Sequence, residues 1–239
     1  MSLTLITGAT SDIGLALIKR LSAQPDPPTI LAHANEGASR LHPAIRQLQA
    51  DFTNPKSVQT LADHILTDHG CPTQIVHLPG LKLVYERFSK FNWDHFQTDL
   101  QIQVQSAVIL LKRFLPLMAK QPESNPRIVF VSSSVTRGVP PRYMSMYTTV
   151  KYAQLGLMRA LASEYSQTAI SINAVCPGMV DTRFLENIPD SVKEMSAAAI
   201  PRGRNATPDD VVDAIEFLLS PKAAYITGIE LPVTGGAVY

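Results

Sequence analysis

The sequence predicts a doubly wound parallel α/β sheet, about seven strands flanked by helices, in a single domain spanning residues 1–239. Three observations carry this. The chain opens on a short β-rich run that ends in a glycine turn and passes straight into an amphipathic helix. Strand-like and helix-like segments then alternate to the end, as parallel strands joined by crossover helices require. Residues suited to ligands or tight turns (Asp51, Gly80, Ser132 to Ser134, Pro177 and Gly178) fall at the carboxyl ends of expected strands. Ligands bind at that edge in such sheets.

The elements follow in order. Leu3–Thr7 is the first strand. The turn Gly8-Ala9-Thr10-Ser11-Asp12-Ile13-Gly14 leads into a helix over Leu15–Leu21. Strand, glycine turn and helix together bring a pyrophosphate to a helix N-terminus. Gly8 lets the chain turn tightly, and Gly14 lets the helix pack close to the sheet. Thr29–Ala34, after a proline-rich loop, is the second strand. Leu48–Phe52 is the third, with Asp51 near its end. Asn54 and Pro55 open a helix over Ser57–Asp68. Gln74–Leu78 is the fourth strand, and Trp93–Met118 one long helix stopping around Pro116. Arg127–Ser132 is the fifth strand, Met146–Gln167 a helix, and Ala169–Val175 the sixth strand. Thr207-Pro208 caps a helix over Asp209–Leu219, and Ile229–Val233 is the last strand. The chain has no repeats, low-complexity tracts or linker.

Composition narrows the function. An apolar content of 45% is ample for a buried core. Lys and Arg number 21 against 20 Asp and Glu, which argues against a nucleic-acid partner. Two cysteines, Cys71 and Cys176, suggest no disulfide framework. The first strand begins almost at once, leaving no room for a signal peptide, and no apolar run approaches membrane-spanning length. A cytoplasmic protein with no membrane partner and no metal is expected. Asn205-Ala206-Thr207 matches a glycosylation acceptor, read as a chance match without secretion.

Tyr147 and Lys151 carry the chemistry. Residues four apart on a helix share a face. An ammonium beside a phenol lowers the phenol's pKa, and a phenol tuned towards neutrality can donate and recover a proton. Such a pair by itself is commonly just a solvated helix face. The glycine turn upstream and the serine-ended strand Val131-Ser132-Ser133-Ser134 give it functional weight.

With these features the sequence resembles the short-chain dehydrogenases/reductases, over essentially its whole length. The family's turn reads Thr-Gly-x-x-x-Gly-x-Gly. Thr7, Gly8 and Gly14 match it, while Asp12 replaces the middle glycine. A carboxylate there either competes with phosphate for the helix dipole or caps the helix and points away. The resemblance implies a Rossmann-like fold and a nicotinamide cofactor. It implies that a serine binds the substrate carbonyl, Tyr147 supplies a proton, and Lys151 lowers the tyrosine pKa and holds the nicotinamide ribose. Counting from Arg127 gives Ser133 as the serine, and counting back from Tyr147 gives Ser134; the strand register favours Ser133. The family's fourth member is an asparagine whose backbone carbonyl holds a water linking the lysine to solvent. That position is Gln103 here. Gln103 suffices if the backbone acts, and proton relay suffers if the side chain fixes a helix kink. Of the family's Asn-Asn-Ala-Gly, here His77-Leu78-Pro79-Gly80, only the glycine remains, and His77 is read as structural.

By the same resemblance, the cofactor contacts are Gly8, Thr10, Ser11, Asp12, Ile13, Gly14, Asp51, Phe52, Leu78, Pro79, Gly80, Tyr147 and Lys151. Pro177, Gly178, Val180 and Thr182 join them through the family's Pro-Gly-x-Ile/Val-x-Thr loop. Thr227-Gly228 and Gly235-Gly236 match its C-terminal pair. The second strand ends without the aspartate that selects NAD, and Glu36 comes slightly late. NADP(H) is therefore expected over NAD(H), with Ser11, His33, Asn35 and Arg40 facing the 2′-phosphate. Substrate selection falls to loops 136–146 and 183–202. Val139, Pro140, Tyr143, Met144, Met146, Phe184, Leu185, Ile188 and Met195 would form an apolar cleft. Arg137, Arg142, Arg183, Arg202 and Arg204 would meet an acidic carrier protein or a phosphopantetheine arm, or serve only as surface charges. The likeness is strongest to 3-oxoacyl-(acyl-carrier-protein) reductases of fatty-acid or polyketide-like assembly. Other readings are a dehydrogenase of a sugar, steroid or small ketone, and a non-catalytic cofactor-binding sensor. The family implies a homo-tetramer or dimer, or a hetero-oligomer with a related subunit. Val108, Leu111, Leu155 and Met158 would serve either that interface or the core.

Overall fold

The computed structural model describes residues 2–35, 41 and 45–238. Its sheet holds seven parallel strands in the order β3-β2-β1-β4-β5-β6-β7. They are β1 (Leu3–Thr7), β2 (Thr29–Ala34), β3 (Arg46–Gln49), β4 (Gln74–His77), β5 (Arg127–Val131), β6 (Ser171–Pro177) and β7 (Glu230–Val233). The helices are α1 (Asp12–Ser22), α2 (Pro55–Asp68), α3 (Trp93–Leu100), α4 (Ser106–Met118), α5 (Ser145–Glu164), α6 (Asp190–Ala199) and α7 (Pro208–Leu219).

The strand order explains where a site must lie. The chain runs outward from β1 to β3, then returns to place β4 on the other side of β1. The loops leaving β1 and β4 therefore diverge and open a crevice at their carboxyl ends. Thr7, the last residue of β1, pairs with His33 on β2 and His77 on β4, so three strand ends lie level beneath that crevice.

Both faces of the sheet are covered, which is why the central strands read as continuous apolar runs. Helices α2, α4 and α5 bury Ile65, Leu110, Phe114 and Met158 against Phe130 on one face. Helices α1 and α7 bury Leu17, Val212 and Ile215 against Ile6 and Val129 on the other. Each such side chain contributes roughly 2 kcal/mol by leaving water. Leu111, Leu155 and Met158 belong to this core, whereas Val108 is exposed on α4. Among the described residues, no helix is long and apolar enough to cross a membrane.

The fold class expected from the sequence is the one observed, and most boundaries agree within three residues. Three differences have physical causes. Strand β3 begins at Arg46 and ends at Gln49, so Asp51 and Phe52 lie beyond it rather than within it. It is an edge strand with only Leu48 buried, so no apolar run marks it. The segment expected as a loop between Arg183 and Arg202 contains α6, none of whose residues is buried, and its sequence accordingly lacks an apolar stripe. The long helix continues through Pro116 to Met118 but widens into a π-helical turn over Gln101–Gln105.

Candidate active site

The glycine turn shapes one wall of the crevice. Gly8 sits at φ +70°, and a Cβ there would lie 2.7 Å from the Pro79 Cα. A Cβ on Gly14 would lie 2.6 Å from the Ala9 carbonyl oxygen. Both positions are thus closed to any side chain, and the backbone approach they permit is the kind a bound pyrophosphate needs. Ser11 caps α1, its Oγ accepting from the Gly14 amide at 3.1 Å. Asp12, the alternative cap, instead pairs with Arg183.

Ser133, Tyr147 and Lys151 come together where β5 meets α5. Ser133 is buried, and its hydroxyl hydrogen-bonds the Tyr147 phenol. Ser134 opens the next 3-10 turn, so Ser133 is the serine that meets the tyrosine. Lys151 Nζ lies 5.7 Å from the centroid of the Tyr147 ring and donates to the Val131 carbonyl at 3.0 Å. Its second acceptor is Gln154 Oε1 at 3.5 Å. Burial pushes the Lys151 ammonium down to about 8. Burial also pushes the Tyr147 phenol well above its usual value, and the Ser133 hydrogen bond only partly opposes this. The lowering of the tyrosine pKa by the lysine, implied by the resemblance, does not prevail in this arrangement. Desolvation of the phenolate dominates, and the ammonium is turned towards Val131.

The π turn brings the third part. His77, at the end of β4, is buried with both ring nitrogens engaged. Nε2 lies 2.9 Å from the Gln103 carbonyl oxygen and Nδ1 lies 2.9 Å from Thr7 Oγ1. A carbonyl only accepts, so Nε2 carries the proton and Thr7 donates to Nδ1. His77 is thus structural, as expected, and it holds the carbonyl of Gln103, the residue that the resemblance sets against the family's asparagine. The Gln103 side chain donates to Asp99 Oδ1 at 2.7 Å, and Asp99 also accepts from the Leu81 amide at 3.1 Å. Backbone and side chain of Gln103 are therefore both fixed. The buried Asp99 carboxylate acts on both groups, adding to the rise at Tyr147 and partly opposing the fall at Lys151.

Burial pushes His77 down to about 3 and His33 down to about 4. Both stay neutral in the fold, while the unfolded chain takes up protons below about pH 6.5. Between those values the unfolded state binds more protons, so stability is lost as pH falls from about 6.5 towards 4. Thermal melts across that range are expected to show the decline, with a slope reduced by about half in His77→Asn. An unchanged slope in that variant would remove His77 from the account.

The rim residues are less uniform. Asp51 turns back on its own loop, Oδ1 accepting from the Thr53 amide and hydroxyl at 2.9 and 2.7 Å. Thr182 Oγ1 bonds the Val180 carbonyl, and the Gly178 amide bonds Val233, which fixes the loop after β6. His33 corrects an expectation. It is buried, stacked on Phe52 at 3.8 Å, with Nε2 donating to the Ala50 carbonyl, so the ring does not face a phosphate at the surface. Asn35 is exposed at the end of β2. Glu36 and Arg40 lie outside the described residues.

Beside Tyr147 an open cleft is walled by Leu83, Phe88, Phe91, Phe96, Tyr143 and Met146, with Asp99 among its lining. Phe184 packs against the Tyr147 ring at 5.9 Å. Val139 and Met195 were expected in this cleft but are 94% and 72% exposed and belong to the outer surface. The segment from Leu81 to Phe96, which sequence reasoning left out, supplies most of the wall instead. Its aromatic run Phe88, Phe91, Trp93 and Phe96 was the available signal. The arginines are largely spoken for within the chain: Arg183 pairs with Asp12, Arg204 with Asp210, and Arg137 with Glu230.

A family model described as enoyl-(acyl carrier protein) reductase, one of the short-chain dehydrogenase/reductase type, matches residues 8–238. This chain is a short-chain dehydrogenase/reductase. It is 31% identical to the uncharacterized oxidoreductase YmfI of Bacillus subtilis, over 97% of each chain. It is 30% identical to the 3-oxoacyl-(acyl-carrier-protein) reductase FabG of Haemophilus influenzae, over 98% of this chain and 97% of that one. Its fold superimposes on the 3-ketoacyl-(acyl-carrier-protein) reductase of Brucella melitensis, solved with NADH, with a TM-score of 0.88 at 23% identity. That match covers 99% of this chain and 98% of the other.

As a short-chain dehydrogenase/reductase, the chain is an oxidoreductase of a family that binds a nicotinamide cofactor. The group fits what the crevice offers: two positions where a Cβ would strike backbone, and a capped helix N-terminus. That cofactor, when bound, supplies or accepts a hydride.

Proposed function

We propose that this protein reduces the ketone of a 3-oxoacyl thioester, carried on an acyl carrier protein or a small thiol, with NADPH as the preferred reductant. The observation that carries the reading is the convergence of Ser133 and Lys151 on Tyr147, which itself lines a largely apolar cleft. Ser133 holds the substrate carbonyl oxygen, and Tyr147 delivers a proton to it. Lys151 restores that proton and steadies the ribose. Gly8, Thr10, Ser11, Ile13 and Gly14 form the phosphate wall. Asp51 and Phe52 meet the adenine end, and Leu78 to Gly80 with Pro177, Gly178, Val180 and Thr182 enclose the nicotinamide half. The preference for NADPH rests on the missing aspartate at the end of β2. The leaning towards an acyl thioester rests on the cleft lining and on the FabG relative.

One feature supports a second reading. Asp99 brings a carboxylate to the cleft wall, where a hydroxylated ketone would hydrogen-bond it and an alkyl chain would not. The deciding experiment follows NADPH and NADH oxidation with a short 3-oxoacyl thioester, presented on carrier protein and on a small thiol, beside polyhydroxy ketones of similar size. Turnover of the thioester with NADPH, faster on the carrier, is the expected result. Turnover of the hydroxylated ketones alone would replace it.

A further inference from the structure

We propose that Arg183 is a positioning residue of the cofactor site, one that masks the Asp12 carboxylate so that a dinucleotide pyrophosphate can settle on the N-terminus of α1. The proposal rests on the reading of this crevice as a nicotinamide-dinucleotide site.

Asp12 is the first residue of α1, one position beyond its cap. The positive end of the helix dipole there is what would attract a diphosphate, and a bare carboxylate would cancel that attraction and add repulsion. The structure pairs this carboxylate with a guanidinium 171 residues away in sequence. Arg183 Nε donates to Asp12 Oδ1 at 2.6 Å, and Nη2 approaches the same oxygen at 2.5 Å. The Arg183 backbone amide donates to Oδ2 at 2.7 Å. Nη2 also donates to the Thr10 carbonyl at 3.0 Å, so the guanidinium lies across the glycine turn itself. Both carboxylate oxygens are thus satisfied from one residue. Nη1 has no bonded partner among the described residues, and its two N–H groups remain available to an anion. The pair is partly exposed, as a ligand-facing pair must be.

The contact also joins the two halves of the site. Arg183 directly follows Thr182. Its neighbour Phe184 packs on Tyr147 and accepts a hydrogen bond from the Leu83 amide at 3.1 Å. A diphosphate on α1 would therefore touch a segment that packs on Tyr147 and is bonded to Leu83 in the wall of the substrate cleft.

The test is a double-substitution cycle read by calorimetric titration of NADPH and NADH into the full-length protein, without turnover. Arg183→Ala exposes the carboxylate and is expected to raise Kd at least tenfold. Asp12→Ala is expected to bind at least as tightly as the unsubstituted protein. The double variant is expected to return to within about threefold of it, and Arg183→Lys, which keeps the charge, to stay close to it. The Tm of Arg183→Ala, read beside its Kd, separates a loss of affinity from a loss of fold. An unchanged Kd in Arg183→Ala, a double variant as weak as that single one, or weakening by Asp12→Ala would each overturn the masking role. Failure of the unsubstituted protein to bind either dinucleotide would instead overturn the reading of the crevice as a dinucleotide site.

Discussion

Tyr147→Phe is expected to lower the rate of carbonyl reduction by about 10³-fold, within the range for loss of a positioned general acid. The substitution removes one oxygen and little else. The ring keeps its packing against Phe184, and Lys151 keeps its bond to the Val131 carbonyl. Ser133 loses its phenol partner but keeps the hydrogen bond from the Val135 amide. The turn of Gly8, Ser11 and Gly14, proposed above to hold the dinucleotide, lies on other elements and is untouched. Affinity for NADPH should therefore stay within a few-fold while kcat collapses. Steady-state rates with the best ketone, set beside titration of the cofactor, separate the two effects. Retention of more than a tenth of the rate would remove Tyr147 as proton donor and leave Ser133 or a water in that role. A parallel collapse in cofactor affinity would mean instead that the phenol positions the dinucleotide.

How much of this was legible in the sequence depends on how local each feature is. Tyr147 and Lys151 stand out because a helix turns every 3.6 residues, so spacing alone puts them side by side. Gly8 and Gly14 stand out because tight turns leave few alternatives to glycine. Asp99 did not stand out, since an aspartate on a helix ordinarily points to water. Only its bonds from the Leu81 amide and the Gln103 side chain show it turned inward. The partnership of Asp12 with Arg183 joins segments that no periodicity relates. From sequence, Asp12 could be seen as an anomaly, while its neutralisation could not. His33 misled for the same reason: a histidine at a strand end looks like a ligand until its ring is found stacked on Phe52. Strand β3 and helix α6 escaped accurate placement because neither buries a full stripe, and burial is what imprints periodicity on a sequence.

Gly8→Ala is expected to cost about 3 kcal/mol of stability, lowering Tm by roughly 10 °C, and to weaken dinucleotide binding with it. Two effects add. The backbone at φ +70° is left-handed, which penalises any Cβ by about 1 kcal/mol. The Cβ would also lie 2.7 Å from the Pro79 Cα, 2.8 Å from the Pro79 nitrogen and 3.0 Å from the Leu78 carbonyl carbon. All three are backbone atoms, so no side chain can rotate away. The Leu78 amide donates to the Thr7 carbonyl at 3.3 Å, so relief must come from prising β4's exit loop off β1, which deforms the crevice where the cofactor wall stands. Gly70→Ala is the internal control. Its φ is +87°, yet nothing lies within 4 Å of an added Cβ, so it carries the backbone penalty alone. Thermal melts of the two variants should therefore differ by the steric part, about 2 kcal/mol, and only the Gly8 variant should lose cofactor affinity. Equal losses in both would place the whole effect in the backbone conformation and deny that β1 and β4 are held in contact at Gly8.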